Sequence, residues 1–306
     1  MVAAAMTIAL TGATGFVGGH VLRRLIDKGD PVRALTRRPM DPRVGVTWIE
    51  GDLADGDALA KLVEGATSLI HIAGALNAPD AAAFELANVA GTAAVLAAAA
   101  SAGVCRLVHV SSLAAREPNL SLYGASKARS EAIVRAGPLP FAIVRPPAVY
   151  GPGDRETLDL FRMANNGVVL LPPTGRLSLI HVDDLARLLI TLADPITPSG
   201  LLVEPDDNTL GGFTHQEFAA LLGEAVGKKV FALAAPQPML RVGAALDRFF
   251  RRGSAKLTPD RVAYFCHPDW VVDQALAVPT ELWRPSIATA SGLRDTARWY
   301  RAQDWL

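Results

Sequence analysis

Thr11-Gly12-Ala13-Thr14-Gly15-Phe16-Val17-Gly18 is the stretch on which the fold turns. It follows a short apolar run, Thr7–Thr11, and leads directly into a helical pattern, Phe16–Lys28. Three glycines at this spacing have separate physical jobs. Gly12 permits a tight turn, Gly15 lets a bound phosphate approach the backbone, and Gly18 lets the helix lie close to the strand. A helix N-terminus at this place also offers amide donors and a favourable dipole to an anion. The strand before and the helix after separate this from a merely glycine-rich turn. They predict a dinucleotide-binding βαβ unit.

Outward from this turn, short β-branched runs alternate with longer helical patterns, the mark of a parallel sheet. Thr7–Thr11, Val32–Thr36, Val46–Glu50, Ser68–Ala73, Arg106–Ser111 and Phe141–Arg145 read as strands. Phe16–Lys28, Asp57–Val63, Ala81–Ala102 and Leu122–Arg135 read as helices. The first four strands are near-continuously apolar at their centres, as strands covered on both faces should be. After Arg145 prolines and glycines cluster at Pro146–Gly153 and Pro172–Gly175. A helix from Asp183 and a strand near Leu201–Val203 follow, and Phe213–Leu306 is mostly helical. The expected architecture is α/β: a Rossmann-type doubly wound parallel sheet with a small, mostly helical C-terminal substrate lobe. Residues 1–150 would form the dinucleotide-binding domain, with 176–203 packing back on it, and 151–306 the substrate lobe. That lobe would cover the carboxyl ends of the strands, where such sheets bind ligands.

Bulk properties narrow the class. The 306 residues, half of them apolar, suffice for one sizeable core or a core plus a lobe. Thirty basic residues balance thirty acidic ones, so overall charge gives no push towards nucleic acid or anionic membranes. Cys105 and Cys266 are too few for a disulfide framework or a metal cage, so no metal is expected. Both sit in apolar stretches and are expected in the core. Met1–Leu10 has no basic start and no cleavage site, so its second half reads as a buried strand rather than a signal peptide. Ala81–Ala102 is long enough to cross a bilayer, but Glu85, Asn88 and Gly91 interrupt it. The expectation is a soluble, cytoplasmic protein with a small-molecule substrate, no nucleic-acid partner and no stable membrane insertion.

Tyr123-Gly124-Ala125-Ser126-Lys127 is the most chemically informative stretch. On a helix, positions four apart share a face, so Tyr123 and Lys127 point into one cleft. A free tyrosine has a pKa of about 10 and is a poor base at neutral pH. A nearby ammonium favours the phenolate, so Lys127 is expected to bring the Tyr123 pKa down. Ser111-Ser112 ends the preceding strand at the carboxyl edge, where a hydroxyl can donate to a developing alkoxide. A single Tyr-x-x-x-Lys is common by chance. A strand ending in Ser-Ser, then this helix, all downstream of the glycine turn, is not.

These motifs resemble the short-chain dehydrogenase/reductase superfamily, specifically its extended branch, through Gly12-x-x-Gly15-x-x-Gly18 and Tyr123/Lys127. Arg145-Pro146-Pro147-Ala148-Val149-Tyr150-Gly151-Pro152-Gly153-Asp154 resembles the 3β-hydroxysteroid dehydrogenase-like and dihydroflavonol reductase-like members. Ile180-His181-Val182-Asp183-Asp184-Leu185 and Leu282-Trp283-Arg284-Pro285 extend the likeness across the chain. The resemblance implies an NAD(P)-dependent enzyme that interconverts a secondary alcohol and a carbonyl, with Ser112, Tyr123 and Lys127 catalytic. It implies that Asp52 and Leu53 flank the adenine, that Ile72, Ala73 and Gly74 line the nicotinamide ribose, and that Asn88 holds the backbone there. Ser111, Pro146 and Val149 join the cofactor contacts on the same ground. Leu76, Asn77, Ser112, Ala148 and His181 are the expected substrate contacts. Many relatives dimerise through the Ala-rich and Tyr123 helices, so a homodimer is implied as well.

Cofactor choice rests on the end of the second strand, Leu35-Thr36-Arg37-Arg38. NAD-selective folds place Asp or Glu there, whereas a guanidinium can pair with a 2′-phosphate. The expectation is NADP, with NAD as the alternative and solvated loop charges as the bland reading of Arg37 and Arg38. His71 reads as a core histidine. Asp183 is expected to cap the following helix. Sugar-nucleotide enzymes of the family usually carry asparagine where this chain has Ala148, which argues against a sugar-nucleotide substrate. Two rivals stand: a sugar-nucleotide epimerase/dehydratase, and a non-catalytic NAD(P)-binding regulatory or assembly protein. Met239–Arg252 joins Leu240, Ala244, Phe249 and Phe250 to four arginines. It reads as a lid helix with a solvated basic face, or as a contact for a membrane or an apolar acyl substrate.

Overall fold

A computed structural model describes residues 6–172, 174–236, 238–240 and 259–306. Most of Met239–Arg252 therefore lies outside the described residues. Strands β1 (Ile8–Thr11), β2 (Val32–Thr36), β3 (Val46–Glu50), β4 (Ser68–His71), β5 (Arg106–Val110) and β6 (Phe141–Val144) form a parallel sheet with the Leu201–Val203 strand. The spatial order is Leu201–Val203, β6, β5, β4, β1, β2, β3. Order therefore reverses between β1 and β4, which opens a crevice beyond their carboxyl ends. β4 stops two residues earlier than the sequence suggests. The Ile72 and Ala73 amides turn away from the ladder to donate to Thr11 Oγ1, each at 3.1 Å.

Both faces of the sheet are covered, as the continuous apolar strands require. On one face helix α1 (Phe16–Lys28) and the Val182–Leu192 helix bury Val21, Leu25, Leu185 and Leu189 against Ile8 and Leu10. Gly29, left-handed at φ 83°, ends α1 and returns its amide to the Ile26 and Leu25 carbonyls. On the other face α2 (Gly56–Val63), the Ala81–Ser101 helix and the Leu122–Ala136 helix pack Leu59, Leu62, Val95, Leu96 and Val134 on Ala9 and Leu69. Asp55 caps α2, its carboxylate accepting from the Ala58 amide.

The Ala81–Ser101 helix is long and apolar enough to cross a membrane. It is not uniform, however: Glu85–Ala90 winds as a π-turn. Such widened turns often mark functional places. Here it turns Asn88 inward, where the residue is buried.

Residues after β6 build a second core from Phe161, Phe218, Leu222, Leu293 and Tyr300. Helices Leu158–Asn165, His215–Val226 and Thr289–Ala302 supply it. Short strand pairs, Ala148–Tyr150 with Leu179–His181 and Val168–Leu171 with Phe231–Ala234, stitch this part together.

Two sequence expectations fail here. Cys105 is exposed and Cys266 half-exposed, because Cys105 lies at the entry to β5 beyond the sheet's apolar layer. Asp183 does not cap the Val182–Leu192 helix. That helix starts one residue earlier, and His181 Nδ1 accepts from the Asp183 amide at 3.2 Å. The Asp183 carboxylate instead accepts from His20 Nδ1 at 2.8 Å, tying this helix to α1.

Candidate active site

The glycine turn has the shape of a phosphate cradle. Gly12 sits at φ 77°, and a Cβ there would lie 2.9 Å from the Ala73 nitrogen. A Cβ on Gly18 would come within 2.0 Å of the Gly12 carbonyl oxygen, so only glycine lets α1 close on the turn. Gly15, at the N-cap of α1, has no side chain to occupy the first helical amides. Thr14 and Gly15 form the exposed lip, and Phe16 and Val17 lie half-buried behind it. This cradle fits a dinucleotide's pyrophosphate.

The far side of the crevice is held by threonine and asparagine. Thr11 Oγ1 receives the Ile72 and Ala73 amides, so its proton goes to His71 Nδ1 at 2.7 Å. His71 Nε2 then donates to Thr92, which donates onward to the Asn88 carbonyl. Burial and the Lys127 charge push the His71 pKa down to about 3, so the ring is neutral. His71 is thus the core histidine its strand suggests. Asn88 clamps the loop after β4: Oδ1 accepts from the Ala75 amide at 2.7 Å, and Nδ2 donates to the Ala75 carbonyl and to Ser126 Oγ. Gly74 lies directly between these groups. A Cβ on it would meet Asn88 Oδ1 at 2.7 Å and Lys127 Nζ at 3.7 Å.

Ser121 caps the Leu122–Ala136 helix, accepting from the Gly124 amide. Close packing at Gly124, where a Cβ would lie 2.6 Å from the Ala114 carbonyl oxygen, seats the helix under the loop after β5. Ser112 lies beside Tyr123, near enough for its hydroxyl to favour the phenolate. Lys127 is buried and donates from Nζ to the Val110 carbonyl at 2.7 Å. The three side chains therefore converge at the carboxyl ends of β4 and β5.

Their electrostatics correct one expectation. Burial pushes the Tyr123 phenol up to about 12, and the Ser112 hydrogen bond and the Arg261 charge only partly oppose it. Lys127, whose ammonium donates to the Val110 carbonyl on β5, is not among the groups that lower it. Lys127 is itself lowered to about 8 by burial, held from falling further by Glu131. Tyr123 is thus a neutral acid at neutral pH.

Other expected contacts are placed less uniformly. Arg37 and Arg38 are exposed at the end of β2, in a turn fixed by Thr36 Oγ1 donating to the Arg38 carbonyl at 2.8 Å. Asp52 is exposed, with Oδ1 accepting from the Ala54 amide, and Leu53 packs against Gly91. Leu76 and Asn77 stand on the exposed loop beyond Gly74, Ala148 is exposed, and Val149 is half-buried. Pro146 is buried, its carbonyl receiving the Leu113 amide. The Ser111 hydroxyl donates to Glu131 at 2.5 Å. His181 is buried, stacked edge-on against Tyr150 and capping its helix.

Sequence reasoning missed the residues that other segments, one earlier and one later in the chain, bring to Tyr123. Phe84 packs its ring 6.2 Å from the phenol ring. Arg261, paired with Glu156 at 2.8 Å, acts on it electrostatically, and so does Tyr264. Tyr264 stacks on Trp270 at 4.6 Å, and Trp270 packs with Leu113, the residue after Ser112. The aromatic content of this late segment was the only signal. Nothing local ties it to residue 123.

The glycine cradle, the Asn88 clamp and the grouped Ser112, Tyr123 and Lys127 suit the binding of a dinucleotide at the carboxyl ends of the strands. A model of the NAD dependent epimerase/dehydratase family matches residues 8–199. The chain belongs to that family, as a Rossmann-fold member of the extended short-chain dehydrogenase/reductase type. It is 39% identical over 312 residues to a ceramide reductase of Caulobacter vibrioides, covering 98% of this chain and 96% of the relative. A 2-alkyl-3-oxoalkanoate reductase of Stenotrophomonas maltophilia is 28% identical, covering 87% and 91%. The Bordetella bronchiseptica enzyme WbmG, solved in complex with NAD, shares the fold at a TM-score of 0.75 and 20% identity, covering 99% and 96%.

Proposed function

We propose that this protein is an NADPH-linked reductase that converts a ketone on a long-chain, apolar molecule into a secondary alcohol. The observation that supports it is the grouping of Ser112 beside Tyr123, with buried Lys127 next to Gly74, at the carboxyl ends of the strands. When bound, the cofactor supplies a hydride to the carbonyl carbon. Ser112 donates its hydroxyl hydrogen bond to the carbonyl oxygen, stabilising the charge that develops there. Tyr123, protonated at neutral pH, delivers its proton to that oxygen. Lys127 holds the ribose beside Gly74. Residues 1–150 with 176–203 form the cofactor part, and the remainder forms the substrate lobe.

Two relatives named for reducing ceramide and 2-alkyl-3-oxoalkanoate support the substrate class, since both names describe alkyl-rich molecules. Exposed Ala148 offers no amide to grip a sugar nucleotide. Arg37 and Arg38 at the end of β2 support NADPH over NADH.

The test is Tyr123→Phe assayed with NADPH and a 3-oxo-acyl substrate. Turnover should fall by about two to four orders of magnitude with NADPH affinity retained. Undiminished turnover would sink the reading. Turnover of a UDP-sugar without net cofactor consumption would replace it with epimerisation.

A further inference from the structure

The Val168–Leu171 and Phe231–Ala234 strands pair in parallel, with Phe231 opposite Val168 and Leu233 opposite Leu170. In-register partners share a face, because side chains alternate along each strand. On one face Val169 is fully buried, while its partner Ala232 is exposed. The outer face is the opposite case: Phe231 is 75% exposed, Leu233 53%, Val168 38% and Leu170 36%. Four large apolar side chains thus form one contiguous outward patch, the kind of feature that marks an interaction surface rather than scattered surface hydrophobes.

Charge beside the patch says what it meets. Lys228 and Lys229, both exposed, directly precede the Phe231 strand. Lys228 is fixed at its edge by donating to the Asn165 carbonyl at 2.7 Å. An apolar patch rimmed by lysines matches the interface of an anionic bilayer, where apolar side chains enter the acyl boundary and lysines meet the headgroups. A second copy of this chain would bring the same lysines against each other.

We propose that this face is a peripheral docking site for an anionic phospholipid membrane, by which the protein rests on the surface without spanning it. The inference rests on the reductase reading only for its purpose, since a long-chain substrate resides in such a bilayer.

The test is co-sedimentation of the full chain with vesicles, either of neutral phosphatidylcholine or with about one third phosphatidylglycerol added. Binding should require the anionic lipid and weaken with salt. Phe231→Ser combined with Leu233→Ser should weaken it by about tenfold or more. Lys228→Gln and Lys229→Gln should each weaken it by about fivefold. None of these variants should change turnover of a short, water-soluble ketone or the Tm. Equal binding by wild type and the double-serine variant would overturn the proposal, as would no vesicle binding at all. A concentration-dependent dimer abolished by the same variants would assign the face to a second copy instead. Because sedimentation needs no turnover, it reads out even where the ketone assay fails.

Discussion

Tyr123 and Lys127 sit one helical turn apart, yet their titrations run in opposite directions. Burial raises the phenol to about 12 and lowers the amine to about 8. The ammonium is the form that donates to Val110, and it is lost as pH rises through about 8. Reductase activity should therefore be level near neutrality and decline above about pH 8, with no acid limb from Tyr123. A pH–rate profile of kcat/KM checks this, and a plateau to pH 10 would contradict it. On the proposed mechanism Ser112→Ala would remove the donor to the developing alkoxide and should cost about 10²–10³ in kcat. Arg37→Ser should raise the KM for NADPH by about tenfold or more and leave that for NADH nearly unchanged, since a lost pairing to a 2′-phosphate concerns only the phosphorylated cofactor. Side-by-side Michaelis constants decide it.

At the scale of elements, the Tyr123 helix is anchored through Glu131, a turn beyond Lys127. Glu131 is fully buried and takes a fork from Arg145, with Nε and Nη2 each at 2.7 Å, along with the Ser111 hydroxyl and Arg135. Arg145, at the end of β6, continues to buried Glu204, which also receives Arg116 and the Asp273 amide. Arg116 donates to the Val271 and Asp269 carbonyls. A chain of charge-assisted hydrogen bonds thus links the Tyr123 helix, two strand ends and the segment carrying Trp270. His71 from β4 and His109 from β5 also face Lys127, and both are held neutral by burial. Glu131 is the group that holds the ammonium. Glu131→Gln should move the alkaline limb to lower pH, whereas a purely structural role would lower Tm and leave the limb in place. Nothing in the local sequence announces this network. Glu131 and Arg145 are 14 residues apart on a helix and a strand, and only the βαβ crossover brings them together.

For the whole molecule, His20 joins three parts of the chain. Nδ1 donates to Asp183 and Nε2 lies 2.9 Å from the Pro152 carbonyl, locking α1, the Gly151–Gly153 turn and the Val182–Leu192 helix together. The His20 hydrogen bond brings the Asp183 carboxyl down to about 2. A carboxylate with a depressed folded pKa contributes stability that is present above its unfolded value and lost as pH falls through about 2. Asp183→Asn should therefore lower stability by about 1–2 kcal/mol at pH 7, with the deficit shrinking in acid. Thermal denaturation at several pH values tests it.

The sequence by itself determined the alternation of strands and helices, the glycine cradle and the spacing of Tyr123 and Lys127. These are local: periodicity, backbone freedom at Gly12 and one turn of helix suffice. Tertiary structure decided the rest. It buried the Tyr123 phenol so that its pKa rises, gave Asp183 to His20 instead of a cap, joined Ser111 to Glu131, and brought Phe84 and Arg261 to Tyr123. Each depends on desolvation or on partners from 20 to more than a hundred residues away, and burial is a property of the packed molecule that no single stretch of chain encodes.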